Sequence, residues 1–223
     1  MLDQLAQLPQ SVFRRRMLQS VITRDLMNMA ATQSLLDACW SLNEGGTPLN
    51  TFQRVLLMTD GTVTDILEAH VAESICVVRL TQSFGCDDPE MAPECELLKN
   101  ERVLHRTVLL QGTSSGTNFL HGESIIVPDR LPAPVLEGLL TTDKPIGRLL
   151  AENRVETFRE IVGLGFEPAC EYGNYFGVDP ESQLVFRTYR IYVRQRAVMR
   201  ITEKFPISWF GDGIDLGVPG IDP

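Results

Sequence analysis

Residues 185–205 have the sequence VFRTYRIYVRQRAVMRITEKF, and this stretch indicates an antiparallel sheet. β-Branched and aromatic residues dominate Val185–Arg194, and apolar residues alternate with polar ones along Ala197–Phe205. Both patterns are typical of strands that bury one face. Only Gln195 and Arg196 separate the two stretches, which favours a tight turn between them. The sequence therefore predicts a β-hairpin near the end of the chain.

Further strands and helices are predicted outward from this hairpin. Strands are expected at Val55–Met58, Ser74–Leu80, Arg102–Gln111 and Ser124–Val127, and helices at 10–41, Val63–His70, Ile146–Leu150 and Arg154–Val162. Strands joined through hairpins, with helices grouped between them, indicate an α+β fold with a mainly antiparallel sheet. The chain lacks Gly-x-Gly-x-x-Gly and Gly-x-x-x-x-Gly-Lys motifs, so the sequence gives no support for nucleotide binding.

The chain divides by composition into three parts. A run of turn-forming residues near position 45 separates an N-terminal helical extension, 1–45, from a main domain, 46–206. The last residues, 207–223, form a Gly-, Pro- and Asp-rich tail. Within the main domain, 81–100 is a polar, acidic segment expected to be a long loop, and such loops are typically lids, binding loops or mobile segments.

Composition excludes several functional classes. The 223 residues carry a net charge of −9, with 43% hydrophobic and 22% charged residues. This chain is too apolar to be disordered, and it has no apolar run of about 18 residues that could span a bilayer. The acidic balance argues against binding nucleic acid or anionic membranes, because both require a basic surface.

Cysteine and histidine patterns indicate a cytoplasmic protein without a metal site. The five cysteines form no Cys-x-x-Cys pair, and free thiols are expected although Cys86 and Cys95 lie close enough in sequence to pair. The N-terminus lacks the basic and apolar segments of a signal peptide. The three histidines have no metal-ligand spacing.

Two charged side chains are predicted to lie on apolar faces of strands. Alternation places Glu203 on the same face as Met199 and Ile201, and Arg106 on the same face as Leu104 and Val108. An unpaired buried charge would cost several kcal/mol. The two side chains therefore pair with each other, reach solvent at a strand end, or line a pocket. In a pocket, arginine would bind a carboxylate and glutamate would transfer a proton or contact a hydroxyl.

The hairpin is basic although the whole chain is acidic. Between positions 187 and 204 the only acidic residue is Glu203, and the basic residues are Arg187, Arg190, Arg194, Arg196, Arg200 and Lys204. A basic ribbon on an acidic protein favours a local anionic ligand. A solvated hairpin that balances acidic neighbours is the alternative interpretation.

Four motifs resemble those of a known family when they are taken in order. They are Arg106-Thr-Val-Leu-Leu-Gln-Gly112, Ile125-Ile-Val-Pro128, Lys144-Pro-Ile-Gly-Arg-Leu-Leu150 and Ile201-Thr-Glu-Lys-Phe-Pro206. Their types and separations resemble those of the chorismate pyruvate-lyase family, which makes 4-hydroxybenzoate, over roughly residues 50–206. The longer chain and its Thr59-Asp-Gly-Thr62 segment look more like the cyanobacterial-type branch.

The resemblance implies a fold and a binding site. The implied fold is a six-stranded antiparallel sheet with helices on one side and an enclosed ligand pocket, a chorismate lyase-like or UTRA-like fold. The family's ring-carboxylate arginine corresponds to Arg106, its backbone N–H contact to Ile146, and its pocket glutamate to Glu203. Enterobacterial members carry Gly-Arg-Thr where this chain has Gly122-Glu-Ser124, so a basic contact is missing. The resemblance leaves Arg190 or Arg187 as its replacement.

The resemblance also implies a reaction. Chorismate would lose pyruvate to give 4-hydroxybenzoate for quinone biosynthesis, such as that of plastoquinone. Aromatisation drives this elimination, so neither a metal nor a redox cofactor is expected. The alternatives are a non-catalytic sensor of aromatic acids with the same fold, and a lyase that releases a different hydroxybenzoate. The acidic composition and single N-terminal helix argue against a DNA-binding regulator.

Overall fold

A computed structural model describes residues 49–86 and 101–210, which form one antiparallel sheet with helices packed against it. The strands are β1 (Ile75–Cys86), β2 (Arg102–Gly112), β3 (Asn118–Ile126), β4 (Phe158–Pro168), β5 (Gln183–Val193) and β6 (Arg196–Pro206). Their order across the sheet is β1-β2-β3-β6-β5-β4, and every neighbouring pair is antiparallel. The predicted α+β class with a six-stranded antiparallel sheet is confirmed.

Five α-helices and two short 3₁₀ helices complete the described fold. The α-helices are α1 (Thr51–Met58), α2 (Val63–Val71), α3 (Ala133–Thr141), α4 (Ile146–Glu152) and α5 (Gly173–Phe176), and the 3₁₀ helices are Pro128–Arg130 and Cys170–Tyr172. Helices α3 and α4 pack on one face of the sheet, where Val135 and Leu149 join a core with Leu104 and Ile191. The short Cys170–Phe176 segment lies on the other face, with Tyr172 and Tyr175 against His121 of β3.

The predicted hairpin is confirmed as β5 and β6, but its turn lies one residue earlier than the predicted Gln195-Arg196. Arg194 and Gln195 form its turn with φ angles of 50° and 64°. Positive φ at both central residues is the geometry that the twist of a two-residue hairpin favours. The register pairs Arg187 with Glu203 and Tyr189 with Ile201, so these four side chains share one face of the sheet.

Two sequence predictions of local structure were wrong because tertiary contacts and capping outweighed the apolar pattern. Val55–Met58 belongs to helix α1 and not to a strand, because Asn50 and Gln53 form a reciprocal capping box at its start. The Arg154–Val162 stretch does not form a helix, since Phe158 begins β4. Gly165 lies within this strand, where a Cβ atom would approach the Phe186 ring to 2.7 Å.

Two further differences concern element boundaries. Strand β1 continues to Cys86, so residues 81–86 pair with β2 and do not form the start of a loop. Helix α3 was not predicted, because its sequence carries few polar residues that would mark one exposed face. The predicted helix 10–41, residues 87–100 of the predicted loop and residues 211–223 of the tail lie outside the described residues. No helix among the described residues is long and apolar enough to cross a membrane.

The first residues of the predicted tail pack against α1. Gln53 donates hydrogen bonds to the carbonyls of Ile207 and Trp209, at 2.6 Å and 3.0 Å. The Phe210 ring contacts Phe52 and is 4% exposed. This contact ties the residues after β6 to helix α1.

Candidate functional site

A pocket lies between the helix-covered face of the sheet and the N-terminal ends of α2 and α4. All six strands contribute lining residues to it, and residues at the starts of the two helices complete the lining. The polar and charged lining residues include Thr62, Thr64, Arg106, Ser124, Arg159, Tyr189 and Glu203. The apolar lining residues include Val77, Val108, Leu110, Leu120, Ile146, Ile191 and Ile201. A largely apolar pocket with a few convergent polar groups is typical of a small-molecule site.

Arg106 lies on the β2 wall with an unused pair of donors. Its side chain is 2% exposed, and neither Nε nor Nη2 has a hydrogen-bond partner among the described residues. These two nitrogens form the edge of a guanidinium that binds a carboxylate with two parallel hydrogen bonds. Burial, followed by the positive charge of Arg79, lowers the pKa of Arg106 from its ordinary value. A buried, unpartnered guanidinium edge that faces a pocket is suited to bind an anion.

The N-termini of α2 and α4 meet at the opening of the pocket. A Cβ atom on Gly147 would lie 2.6 Å from Thr62 Cγ2, so the two helix starts approach as closely as a glycine permits. Gly61, Val63 and Thr64 line the pocket from α2, as Pro145, Ile146 and Gly147 do from α4. The first amides of a helix have no intrahelical acceptor and carry partial positive charge. Both helix ends therefore favour a negatively charged ligand.

Glu203 is held by two side chains of β5. Arg187 Nε donates to Glu203 Oε2 at 2.7 Å, and the Tyr189 hydroxyl donates to Oε1 at 3.0 Å. Arg187 Nη1 also donates to the carbonyls of Leu56 and Thr59, at 2.6 Å and 2.9 Å. Burial acts to lower the pKa of Arg187, but the Glu203 carboxylate outweighs it and raises that pKa. Burial, with the nearby Glu203 charge, raises the pKa of Tyr189, which therefore remains a neutral donor.

Glu203 and Arg106 do not form the ion pair that the sequence left open. Among the described residues the ionic partner of Glu203 is Arg187, directly opposite it in the β5–β6 register. Arg106 lies two strands away on β2, paired in register with Ser124 of β3. The buried charges thus separate into a balanced pair and an unbalanced arginine.

The structure brings three of the four predicted site residues together. Arg106, Ile146 and Glu203 all line the pocket. Arg190 does not, because strand alternation turns it to the opposite face from Tyr189 and Ile191. There its Nε lies 3.3 Å from Glu160 Oε2.

Arg159 of β4 lines the pocket and was missed from the sequence. Its Nε is buried without a hydrogen-bond partner in the described part of the chain, while Nη1 donates to the carbonyl of Asp60. The stretch around it was predicted to be helical, and this removed the alternation that would have placed Arg159 on the buried face. If Phe158–Pro168 had been recognised as a strand, strand alternation would have indicated Arg159 as a site residue.

Fold and site together define a ligand-binding α+β domain whose pocket is built for an anion. The chain matches the family described as Chorismate pyruvate-lyase Rv2949c-like over residues 57–210. It is 38% identical over 161 residues to a protein of Mycobacterium leprae named chorismate pyruvate-lyase, covering 71% of this chain and 76% of that protein. It is 30% identical over 168 residues to a protein of the same name from Mycobacterium tuberculosis, covering 74% and 84%. The chain belongs to this chorismate pyruvate-lyase family.

The fold is shared with an effector domain of known structure. The crystal structure of the effector domain of PhnF from Mycobacterium smegmatis aligns with a TM-score of 0.54 and 14% identity, covering 67% of this chain and 90% of that domain. This likeness confirms the predicted chorismate lyase-like, UTRA-like fold and shows nothing beyond the fold. The relatives named above are mycobacterial, so they do not confirm the cyanobacterial-type branch.

Proposed function

We propose that this protein eliminates pyruvate from chorismate and releases 4-hydroxybenzoate. The observation that carries the proposal is the buried, unpartnered Nε–Nη2 edge of Arg106 in the same pocket as Glu203. Membership in the family supplies the reaction class, and the pocket supplies groups for a ring carboxylate and a proton transfer. The use of the product in quinone biosynthesis and a cytoplasmic location stay predictions from the sequence.

Arg106 would bind the ring carboxylate together with the Ile146 amide. Arg79 and Asp143 lie near enough to act on the pKa of Arg106, and Asp143 immediately precedes the Lys144-Pro145 approach to α4. Arg106 and the first residues of α4 also line the same pocket. Ile146 is the first residue of α4, so its amide has no intrahelical acceptor. A carboxylate bound there would accept from the guanidinium and the helix N-terminus together.

Glu203 would take the proton from ring C4. Both of its oxygens accept hydrogen bonds, one from Arg187 and one from Tyr189, which suits a carboxylate rather than a carboxylic acid. As the C4–H bond breaks, its electron pair forms the C3–C4 double bond and the C3–O bond to enolpyruvate breaks. The ring becomes aromatic, and enolpyruvate is protonated to pyruvate. The protein's share of the work is to hold the dianion in a reactive position and to accept one proton.

Product analysis tests the proposal directly. Purified protein is mixed with chorismate, and products are identified by mass and absorbance. Equimolar pyruvate and 4-hydroxybenzoate are expected. Pyruvate with a different hydroxybenzoate would contradict the proposed regiochemistry. Absence of turnover with tight binding of 4-hydroxybenzoate would overturn the lyase and favour an aromatic-acid sensor.

Variants then test the two residues. Arg106→Ala and Glu203→Ala are each expected to lower kcat/KM by about 100-fold or more, the scale of a lost general base or a lost charged contact. Arg106→Ala should also weaken binding of 4-hydroxybenzoate, whereas Glu203→Gln should lower kcat more than it raises KM. Near-wild-type turnover in either alanine variant would refute the assignment.

A further inference from the structure

We infer that Arg159 and the N-terminus of α2 form a second carboxylate subsite, which makes the pocket selective for six-membered-ring acids that carry two carboxylates. The identification of chorismate as the natural ligand with two carboxylates rests on the proposed function. The subsite itself rests on the geometry of the described residues. No family motif in the sequence marks Arg159, and the residue lies outside the four motifs that carry the resemblance.

The Arg159 side chain is fixed at one end and open at the other. Its Nη1 donates to the carbonyl of Asp60, in the turn that leads into α2. Its Nε is buried and has no partner among the described residues, and the residue lines the pocket. The Nη1 contact anchors the guanidinium and leaves Nε available, and the Nε edge is one that carboxylates bind.

The start of α2 lies beside this guanidinium. Asp60 precedes Gly61 and Thr62, and these two residues line the pocket together with Val63 and Thr64. The N-cap Thr62 makes no side-chain capping hydrogen bond. The amides of Val63 and Thr64 have no acceptor in the described part of the chain. A carboxylate at Arg159 would therefore also face two amides at a helix N-terminus.

The two arginines serve different ends of one pocket. Arg106 lies on β2, whereas Arg159 lies on β4 and contacts the turn before α2. Four strand spacings separate β2 from β4, or about 19 Å between the backbones at ~4.8 Å per spacing. Two long side chains that reach inward across this width leave room for a ring between their guanidinium groups.

The two arginines of β5 each have an acidic partner. Arg187 uses Nε for Glu203 and Nη1 for two backbone carbonyls. Arg190 lies on the opposite face, next to Glu160. Neither lines the pocket, so neither replaces the basic contact that is lost where this chain has Glu123.

The charge of the pocket matches a dianion. Its charged lining residues are Arg106, Arg159 and Glu203, and Arg187 balances Glu203. Within the described part of the chain, two positive charges remain without an ionic partner. A monocarboxylate would neutralise one of them, and an acid with two carboxylates would neutralise both. Arg159 therefore distinguishes the dianionic substrate from the monoanionic hydroxybenzoate product.

A pair of non-reacting ligands tests the subsite without relying on catalysis. The first, 3-(carboxymethoxy)benzoate, carries two carboxylates. The second, 3-methoxybenzoate, carries one. Their dissociation constants are measured by calorimetry for the wild type, Arg159→Met and the exposed-site control Arg196→Met. Arg159→Met is expected to reduce the preference for the diacid by about 10- to 100-fold, the range for a charged hydrogen-bonded contact. Arg196→Met should keep the wild-type preference.

Kinetics provide a second measurement. Arg159→Met should raise KM for chorismate by a similar factor, while the Kd of 4-hydroxybenzoate changes by less than about twofold. Arg159→Lys keeps the charge but loses the two-pronged edge, and it should give an intermediate loss of diacid preference. Thermal unfolding of each variant separates loss of binding from loss of folding.

Distinct outcomes overturn the inference and the proposed function. Equal loss of affinity for both benzoates in Arg159→Met, or no loss for either, would refute the second subsite. If Arg190→Met selectively loses affinity for the diacid, Arg190 and not Arg159 forms the subsite, as the sequence predicted. If the wild type binds both benzoates but does not convert chorismate, the lyase proposal fails while the diacid preference still decides the role of Arg159.

Discussion

Replacing Arg187 with methionine should destabilise the protein strongly, because its side chain connects three parts of the fold. The side chain is 1% exposed and forms an ion pair with Glu203, whose side chain is 10% exposed. It also donates to the carbonyls of Leu56 and Thr59, at the end of α1 and just beyond it. Methionine fills a similar apolar volume but supplies none of these donors. The buried Glu203 would then be left without an ionic partner.

The expected cost follows from these contacts. Removing one member of a buried ion pair typically costs about 3–5 kcal/mol, since the remaining charge is left uncompensated. Two backbone carbonyls also lose their donors, which adds roughly 1 kcal/mol or more where water cannot reach them. We therefore expect Arg187→Met to lower the free energy of unfolding by about 4 kcal/mol or more. This is a large fraction of the roughly 5–15 kcal/mol typical of a domain.

A double-mutant cycle with Glu203→Gln separates the charge effect from lost packing. Glu203→Gln should destabilise the wild type, because it leaves Arg187 without its counter-charge. In the Arg187→Met background the same change should stabilise, because it removes the unpaired carboxylate. Urea unfolding, followed by circular dichroism, gives the four free energies. Arg190→Met is the control, since its pair with Glu160 is longer and more exposed, and it should cost only about 1 kcal/mol. Costs that simply add in the double variant would refute the buried-pair argument.

Three further variants test the walls of the pocket. Ile146→Pro removes the amide at the first position of α4, where proline is compatible with a helix. In calorimetry this variant should bind 4-hydroxybenzoate about tenfold more weakly than the wild type, whereas the control Ile146→Val should bind it equally well. Gly147→Ala puts a methyl group 2.6 Å from Thr62 Cγ2 and should lower the free energy of unfolding in urea by about 1–3 kcal/mol. Adding Thr62→Ala should recover most of this loss, and no recovery would contradict the close contact. Tyr189→Phe removes the donor to Glu203 Oε1 and should lower kcat about tenfold with little change in KM; an unchanged kcat would show that this hydrogen bond does not orient the carboxylate.

The parts of the fold that depend on local pattern were predictable from the sequence. Strand β2 shows the alternation of a half-buried strand, and the β5–β6 hairpin adds a short turn between two such strands. The predicted ends of these strands lie within two residues of the observed ones. Alternation also marked Arg106 and Glu203 as charges on buried faces, and both are buried. These inferences need only neighbours along the chain.

Contacts between distant segments were not predictable in the same way. Helix α1 forms at an apolar segment because a capping box fixes its start and Gln53 binds carbonyls more than 150 residues away. Strand β4 forms because it can pair with β5 at the sheet edge, although its two glycines suggested the end of a helix. In both cases at least one of the contacts that hold the element comes from a residue that is remote in sequence.

The same limit explains why the sequence found the charged residues of the site but not their partners. Strand alternation shows which side chains face inward, whereas the order of strands and their register decide which of these side chains meet. Because β5 lies beside β6, Arg187 falls opposite Glu203 and balances it. Because β2 lies two strands from β6, Arg106 keeps a free edge for a ligand. The chemistry of the pocket thus depends on one arginine being paired inside the sheet and others being left unpaired at its two sides.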